Sequence, residues 1–314
     1  MSYRIPDKSV WTGRESAVSA YMHEVINCKS LQEIENSDEQ KIALLGYACD
    51  EGVRRNLGRT GAKNGPGAIR NRLAKVSNHP GLFSQIVDFG DICCAGDDLE
   101  GTQEELAHAV TRLLDASYFP KLMGGGHDIA YGHYQGIRKH LNEQKIGIIN
   151  FDAHFDLRTF QGESTSGTPF YQIATDCASA DRAFHYMCLG VQPLSNIPEL
   201  YQTADQLGAS YVNRKEFSLS NLEAILDKVD KFVTAVDHIY FTIDLDGFAA
   251  SIAPGVSAPS PFGFDVDLVL ILLDKLFDTG KVISMDIAEL NPEYDIDRHT
   301  ARLAAYLIAY IIQR

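Results

Sequence analysis

Eight short apolar segments recur along the chain, and helix-like amphipathic stretches separate most of them. A short segment that is apolar and rich in β-branched residues is typical of a strand buried on both faces of a sheet. The apolar segments span 41–47, 84–90, 119–125, 145–151, 185–191, 209–213, 237–245 and 281–288. The helix-like stretches span 65–75, 102–115, 129–141, 198–207, 219–231, 265–278 and a last one from about 299. This alternation predicts an α/β fold, a parallel sheet with helices on both faces.

The organisation of the chain favours one domain over residues 1–314. A chain of 314 residues can bury a sizeable core as one large α/β domain or as two ordinary ones. No internal repeat, low-complexity tract or Pro/Gly/Ser linker divides it. Residues 1–40 form an N-terminal lead segment with a weaker pattern.

Composition and charge exclude several classes of function. A net charge of −14 argues against a nucleic-acid partner, which needs a basic surface. The longest apolar runs, at 268–273 and 304–312, are too short to span a bilayer. The N-terminus lacks the pattern of a secretory signal, so we expect a cytoplasmic protein. Six cysteines without a C-x-x-C pair predict reduced thiols.

Acidic residues and histidines lie at or just beyond the carboxyl ends of four of the predicted strands. These motifs are "GGGHD" at 124–128, "DAHFD" at 152–156, "DLD" at 244–246 and "DIAELNP" at 286–292. The carboxyl ends of parallel strands meet at one edge of a sheet, where ligands bind. Buried carboxylates without a partner are too costly to tolerate, so we expect positive charge among them.

The spacing within these motifs favours a metal site. Side chains two residues apart in an extended segment project the same way, so each D-x-H-x-D or D-x-D motif can grip one ion. Taken singly, a D-x-D motif usually lies in a loop or caps a helix, and three consecutive glycines usually form a tight turn. Their occurrence together predicts Mn²⁺, since oxygen and imidazole ligands suit it, and four negative charges suggest two ions. The predicted ligands are His127, Asp152, His154, Asp156, Asp244 and Asp246.

These four motifs together resemble the metal and substrate blocks of the ureohydrolase superfamily, which includes arginases, agmatinases and formimidoylglutamases. The similarity is greatest to the formimidoylglutamases and extends from about residue 42 to the C-terminus. Three further stretches separate the chain from arginases, "GRTGAKNGP" at 58–66, "STSGTPF" at 164–170 and "DIDRHTARLAA" at 295–305.

The resemblance implies a three-layer α/β/α fold on a central eight-stranded, mostly parallel sheet, with two Mn²⁺ per subunit. One ion would take His127, Asp152, Asp156 and Asp244. The other would take Asp152, His154, Asp244 and Asp246, so that Asp152 and Asp244 bridge the pair.

The implied reaction is hydrolysis of N-formimidoyl-L-glutamate to L-glutamate and formamide, a step of histidine degradation. Its nucleophile would be a hydroxide held between the two ions. Asp156 would pass the proton, and Glu289 would pair with the amidine-like group of the substrate.

The substrate expected from this resemblance is a small dianion, so an acidic protein must gather cations around it. The loop at 54–63 carries Arg54, Arg55, Arg59 and Lys63, and Arg158 follows the metal motif. Guanidinium groups bind carboxylates as two-pronged forks, although a solvated basic loop is the ordinary alternative. The predicted substrate-binding residues are Asn56, Arg59, Arg158, Ser166 and Thr168.

Three other functions stay open at this stage. Another ureohydrolase, acting on a guanidino substrate such as arginine or agmatine, would release urea. The loop at 162–172 weakens the arginase alternative, because it lacks the histidine that arginases carry there. A single-metal amide deacetylase would leave one carboxylate pair without an ion. A catalytically silent metal-binding homologue would serve as a partner subunit, and the sequence leaves room for a homo-oligomer.

Overall fold

The central sheet consists of ten strands, in a computed structural model that describes residues 3–79, 85–160 and 162–314. The order across the sheet is β1-β4-β3-β5-β10-β9-β6-β7-β8, and β2 pairs with β4. The strands are β1 Tyr3–Arg4, β2 Asn27–Cys28, β3 Lys41–Ala48, β4 Ile86–Cys93, β5 Tyr118–Met123, β6 Ile146–Phe151, β7 His185–Val191, β8 Ser210–Asn213, β9 His238–Asp244 and β10 Val282–Ala288.

The eight strands β3 to β10 are all parallel to one another, which confirms the predicted central eight-stranded, mostly parallel sheet. Each corresponds to one of the eight apolar segments of the sequence, although Ser84 of the predicted strand 84–90 lies outside the described residues. The N-terminal lead adds two strands of two residues each on β4, with β1 antiparallel and β2 parallel to it.

Helices cover both faces of the sheet and complete the predicted three layers. Helices α3, α8, α9 and α10 pack on one apolar core, and α4 to α7 pack on the other. The helices are α1 Met22–Val25, α2 Glu51–Arg55, α3 Gly65–Leu73, α4 Leu99–Asp115, α5 Ile129–Leu141, α6 Pro169–Ser179, α7 Pro198–Gln206, α8 Leu222–Thr234, α9 Val266–Phe277 and α10 His299–Ile312.

Local chemistry explains where several helices begin. The Asp98 side chain accepts a hydrogen bond from the Gly101 backbone N–H at 3.0 Å and so caps α4. Helices α6 and α7 start at Pro169 and Pro198, where a missing N–H costs nothing. The sequence analysis did not predict α1, α2 and α6.

The strand order places the four motif-bearing strands side by side. From β5 to β6 the order is β5, β10, β9, β6, so strands far apart in sequence become neighbours. Because all four are parallel, their carboxyl ends lie at one edge, as expected for a binding site of this fold class.

Two further features of the whole chain, its cysteines and its helices, bear on the expectations from the sequence. All six cysteines are free in the structure, and that they are reduced thiols stays a prediction. Within the described residues, no helix combines the length and the apolar character needed to cross a bilayer.

Candidate metal centre

The loop after β5 carries His127 into the edge of the sheet. A side chain at Gly125 would lie 1.7 Å from the Cys49 carbonyl oxygen, so only glycine lets the two backbones approach there. The His127 backbone N–H donates to Glu289 Oε1 at 2.9 Å, which ties this loop to the residue after β10. His127 is therefore held in a buried position at the carboxyl end of the sheet.

Three carboxylates surround the ring of His127. Its Nδ1 lies 3.2 Å from Asp152 Oδ2, 2.9 Å from Asp156 Oδ2 and 3.1 Å from Asp244 Oδ2. Nevertheless, this buried Nδ1 has no partner in hydrogen-bond geometry. Atoms that converge on one point without pairing with one another are arranged as ligands of a cation.

A second group lies beside the first and shares Asp152 with it. His154 Nδ1 lies 3.2 Å from Asp246 Oδ2 and 3.4 Å from Asp152 Oδ1, and Asp246 Oδ1 is buried without a partner. In each of the two groups the candidate ligand atoms lie within 4.8 Å of one another. The structure thus brings all six predicted ligands together.

Asp244 belongs geometrically to the first of these two groups. Its Oδ2 faces His127, while its Oδ1 accepts a hydrogen bond from the Asp246 backbone N–H at 2.8 Å. Asp152 is the carboxylate common to both groups. Bridging by Asp244 as well as Asp152 stays a prediction.

Burial and mutual repulsion shift the proton affinities of these carboxylates. Burial raises the pKa of Asp244 well above its usual range, and the charges of Asp246 and Asp152 add to the shift. Burial, with the charges of Asp152 and Glu289, raises the pKa of Asp246 to about 7 despite the nearby His154. A bound cation would relieve this repulsion, because it favours the ionised carboxylates.

The histidines and Asp152 shift in the complementary direction. Burial lowers the pKa of His127, but its three carboxylate neighbours outweigh burial and hold that pKa well above the usual range. Burial raises the pKa of Asp152, yet His127 and His154 outweigh it and keep this pKa below its usual value. Two imidazoles are thus the cations nearest to four carboxylates in the cluster.

Asp156 and Glu289 have an unusual backbone conformation. Their φ angles are +48° and +67°, in the left-handed region that residues other than glycine rarely adopt. Such strain is concentrated at functional sites, where the surrounding structure holds the backbone in place. These are the two residues to which the sequence analysis assigned catalytic roles.

A cleft of about 180 Å³ opens above the two ligand groups. Asn56, Arg158 and Ser166, three of the five predicted substrate-binding residues, line it. Among the described residues, Arg158 is the only arginine or lysine in the lining.

Arg59 and Thr168 lie outside this lining. The Arg59 guanidinium donates to the Val256 carbonyl at 2.6 Å and to the Ser257 carbonyl at 2.9 Å, and it stacks on the Tyr294 ring. The Thr168 hydroxyl is buried and contacts Gln172 Oε1 at 2.9 Å. Their predicted part in substrate binding stays a prediction.

The other basic residues of the loop at 54–63 are already paired with carboxylates. Arg54 and Arg55 pair with Glu51, at 2.5 and 2.9 Å. Arg55 also pairs with Glu100 at 2.6 Å, and Lys63 Nζ lies 3.8 Å from the carboxylate of the residue before Glu51. This loop therefore brings fewer free cations to the cleft than its sequence suggests.

Three further lining residues were not among the predicted site residues. Ser195 and Asn196 follow β7, and Ser257 lies in the loop before α9. Asn196 Oδ1 accepts from the Phe155 backbone N–H at 3.1 Å, which steadies the metal motif from a distant loop. No local motif marks Ser195 and Asn196, because they reach the cleft only through the tertiary fold.

The comparisons with known proteins agree with this geometry. The formimidoylglutamases of Chromobacterium violaceum and Ralstonia nicotianae are both 42% identical to the chain, over 301 and 315 residues. The alignments cover 96% of this chain and 96% of the Chromobacterium protein, and 98% of this chain and 95% of the Ralstonia protein.

Solved structures share the fold. The formimidoylglutamase of Bacillus subtilis superposes with a TM-score of 0.83 at 22% identity, covering 96% of this chain and 94% of its own. The formiminoglutamase of Trypanosoma cruzi, solved with Mn²⁺, superposes with a TM-score of 0.77 at 27% identity, covering 91% of this chain and 97% of its own. The model of the arginase family matches residues 40–313, and the chain therefore belongs to the arginase family.

Proposed function

We propose that this chain is a formimidoylglutamase, which hydrolyses N-formimidoyl-L-glutamate to L-glutamate and formamide. One observation carries the proposal: two ligand groups share Asp152 on the floor of a cleft in which Arg158 is the only arginine or lysine among the described residues. The 42% identity to curated formimidoylglutamases over nearly the whole chain supports the same activity.

The residues present fit a pair of Mn²⁺ ions. His127 Nδ1 and Asp246 Oδ1 are buried polar atoms without a partner, and each lies among carboxylate or imidazole ligands. Oxygen ligands with imidazole suit Mn²⁺. Two such ions, when bound, would lower the pKa of a water molecule so that it attacks at neutral pH.

Asp156 and Glu289 have complementary tasks in this reaction. Hydrolysis adds water to the formimidoyl carbon, breaks its bond to the α-nitrogen of glutamate and delivers a proton to that nitrogen. Asp156 lies at the cleft surface and carries the proton from the attacking water to the leaving amine. Glu289, also in the lining, pairs with the cationic amidine and keeps its carbon electrophilic.

Arg158 binds a carboxylate of the substrate. A long cationic side chain in a cleft with an acidic floor places an anionic group at the opposite end from the reacting carbon. Asn56 and Ser166, joined by a hydrogen bond of 3.2 Å, offer neutral donors beside it. A substrate with two carboxylates fits this division of charge better than arginine, which has one carboxylate, or agmatine, which has none.

The deciding experiment is a product assay. Purified protein is loaded with Mn²⁺ and incubated separately with N-formimidoyl-L-glutamate, arginine and agmatine, and formamide, urea and glutamate are measured. We expect equal amounts of formamide and glutamate from the first substrate and no urea. Urea from arginine or agmatine, without formamide, would refute the proposal.

A substitution at Arg158 tests the assignment of the carboxylate. Arg158→Met should raise KM about 10- to 100-fold and leave kcat within a small factor, because it removes binding energy common to ground and transition state. Arg182→Met serves as the matched control, since Arg182 pairs with Glu143 on an exposed surface. An unchanged KM in Arg158→Met would show that another group binds the substrate carboxylate.

A further inference from the structure

A chain of buried hydrogen bonds leads away from His127 into the sheet. His127 Nε2 lies 2.9 Å from the Thr242 hydroxyl, and that hydroxyl donates to Asp286 Oδ1. The parallel register of β9 and β10 sets Asp286 beside Thr242, so the contact follows from the pairing of two central strands. Both residues are fully buried.

The direction of this chain fixes the ring proton of His127. Thr242 has one hydroxyl proton, and Asp286 Oδ1 accepts it. The Thr242 oxygen therefore faces His127 Nε2 with a lone pair, and Nε2 must carry the ring proton to complete the contact. Metal binding requires the neutral ring, whose lone pair then lies on Nδ1, the atom surrounded by the three carboxylates.

Further contacts hold Asp286 in place. Its Oδ2 accepts from the Tyr240 hydroxyl at 2.5 Å and lies 2.6 Å from His133 Nδ1. His133 Nε2 in turn contacts the Ser284 hydroxyl at 2.6 Å, and Ser284 donates to the Pro120 carbonyl at 2.8 Å. Asp286 thus cannot turn away from Thr242 without breaking a network of buried hydrogen bonds.

We propose that Asp286, acting through the Thr242 hydroxyl, is a positioning residue that keeps the ring proton of His127 on Nε2 and so reserves Nδ1 for a metal ion. The inference deepens the proposed function and rests on its metal centre. Neither residue belongs to the two ligand groups or to the cleft lining, and both act on the orientation and protonation site of His127.

Titration with Mn²⁺ alone tests the inference without any substrate. Thr242→Val keeps the branched shape but removes the hydroxyl, and it should weaken binding at the His127 group about 10- to 100-fold. Asp286→Asn should weaken it at least as much, because an amide N–H facing Thr242 reverses the hydroxyl and moves the ring proton to Nδ1. Thr242→Ser should restore the affinity. Paramagnetic resonance should show an exchange-coupled Mn²⁺ pair in the parent protein and isolated Mn²⁺ in the two impaired variants.

Tyr240→Phe is the matched control. It removes one buried donor to Asp286 Oδ2, but His133 still holds that oxygen, and the hydrogen bonds from Asp286 through Thr242 to His127 stay intact. Thermal unfolding shows that each variant is folded. The inference fails if Thr242→Val and Asp286→Asn bind Mn²⁺ as the parent does, or if Tyr240→Phe loses as much affinity as Thr242→Val. Because no substrate is present, this outcome is separate from the product assay that decides the proposed function.

Discussion

Two clusters of buried aspartates lie on this sheet, and they differ in whether the protein supplies its own cations. In the arginine-paired cluster, formed by Asp88 and Asp91 on β4 with Arg70 and Arg4, two carboxylates meet two guanidinium groups. Arg70 donates to both carboxylates, and the Trp11 indole N–H donates to Asp88 at 2.8 Å. Burial raises the pKa of Asp91, but Arg70 and Arg4 outweigh it and hold that pKa below its usual value.

The metal-edge cluster, formed by Asp152, Asp156, Asp244 and Asp246, has no arginine or lysine among its partners in the described structure. Two histidines face four carboxylates, and the pKa values of Asp244 and Asp246 are raised accordingly. A buried carboxylate cluster in balance with arginines is structural. A cluster with an excess of negative charge is typical of a site that an external cation completes.

The largest effect should follow from removing the carboxylate common to both ligand groups. Asp152→Ala takes one ligand from each group, so we expect loss of Mn²⁺ binding and a fall in activity on the order of 10⁴-fold or more. Metal analysis after dialysis and the formamide assay measure the two effects. The fold should survive, because the substitution removes one negative charge from an overcharged cluster. Full activity in this variant would contradict the metal assignment.

The next effect concerns stability and should have opposite outcomes in the two clusters. Asp88→Asn leaves an amide N–H facing the Arg70 and Trp11 donors and removes the charge that balances Arg70. We expect a loss of about 3–5 kcal/mol in the free energy of unfolding, as for other broken buried ion pairs. Urea denaturation measures it.

The matched variant is Asp246→Asn in metal-free protein. It removes one of the mutually repelling charges, so the free energy of unfolding at pH 8 should stay the same or rise. If Asp246→Asn destabilises the metal-free protein as much as Asp88→Asn does, the two clusters are equivalent and the contrast between them disappears.

The sequence predicted the strands well because each is a short run of apolar, often β-branched residues. It did not predict α6, since Pro169 opens that helix directly after a loop of Ser, Thr and Gly. The two-residue strands β1 and β2 form only because they pair with β4, so no local sequence pattern could predict them. The order of the strands depends on long-range packing in the same way.

At the site, the grouping of the six candidate ligands was predictable because their spacing repeats at several strand ends. The ion pairs made by the basic residues of the loop at 54–63 were not predictable, since Arg55 pairs with Glu100, which is 45 positions away in sequence. Thr242 looked like an ordinary strand position, and Asp286 opened the "DIAELNP" motif without a predicted role of its own. Their role depends on a register between β9 and β10 that the sequence does not state.

A smaller effect is the dependence of stability on pH in the metal-free protein. The pKa of Asp246 is about 7 in the folded state, above the value of about 3.9 in an unfolded chain. The folded protein therefore binds more protons between these values, and its stability falls as the pH rises towards and through 7. Between pH 6 and 8 we expect a loss of about 1 kcal/mol from this group.

Urea denaturation across this range measures the slope, and Asp246→Asn should flatten it. With Mn²⁺ bound the sign should reverse, because the ion favours ionised carboxylates and protons compete with it at low pH. A metal-free protein that becomes more stable from pH 6 to 8, or a variant with the parent slope, would contradict the raised pKa of Asp246.

The smallest effect should come from the outer cation of the arginine-paired cluster. The Arg4 side chain is 60% exposed, whereas that of Arg70 is 4% exposed and contacts both aspartates. Arg4→Met keeps the aliphatic stem, so we expect a loss of only about 0.5–1 kcal/mol in the free energy of unfolding. Arg70→Met should cost about 3–5 kcal/mol, because it leaves two buried carboxylates without their main partner. Equal losses in the two variants would mean that burial does not determine how much each ion pair contributes to the free energy of unfolding. The ratio of arginines to buried carboxylates would then no longer distinguish a structural cluster from a metal site.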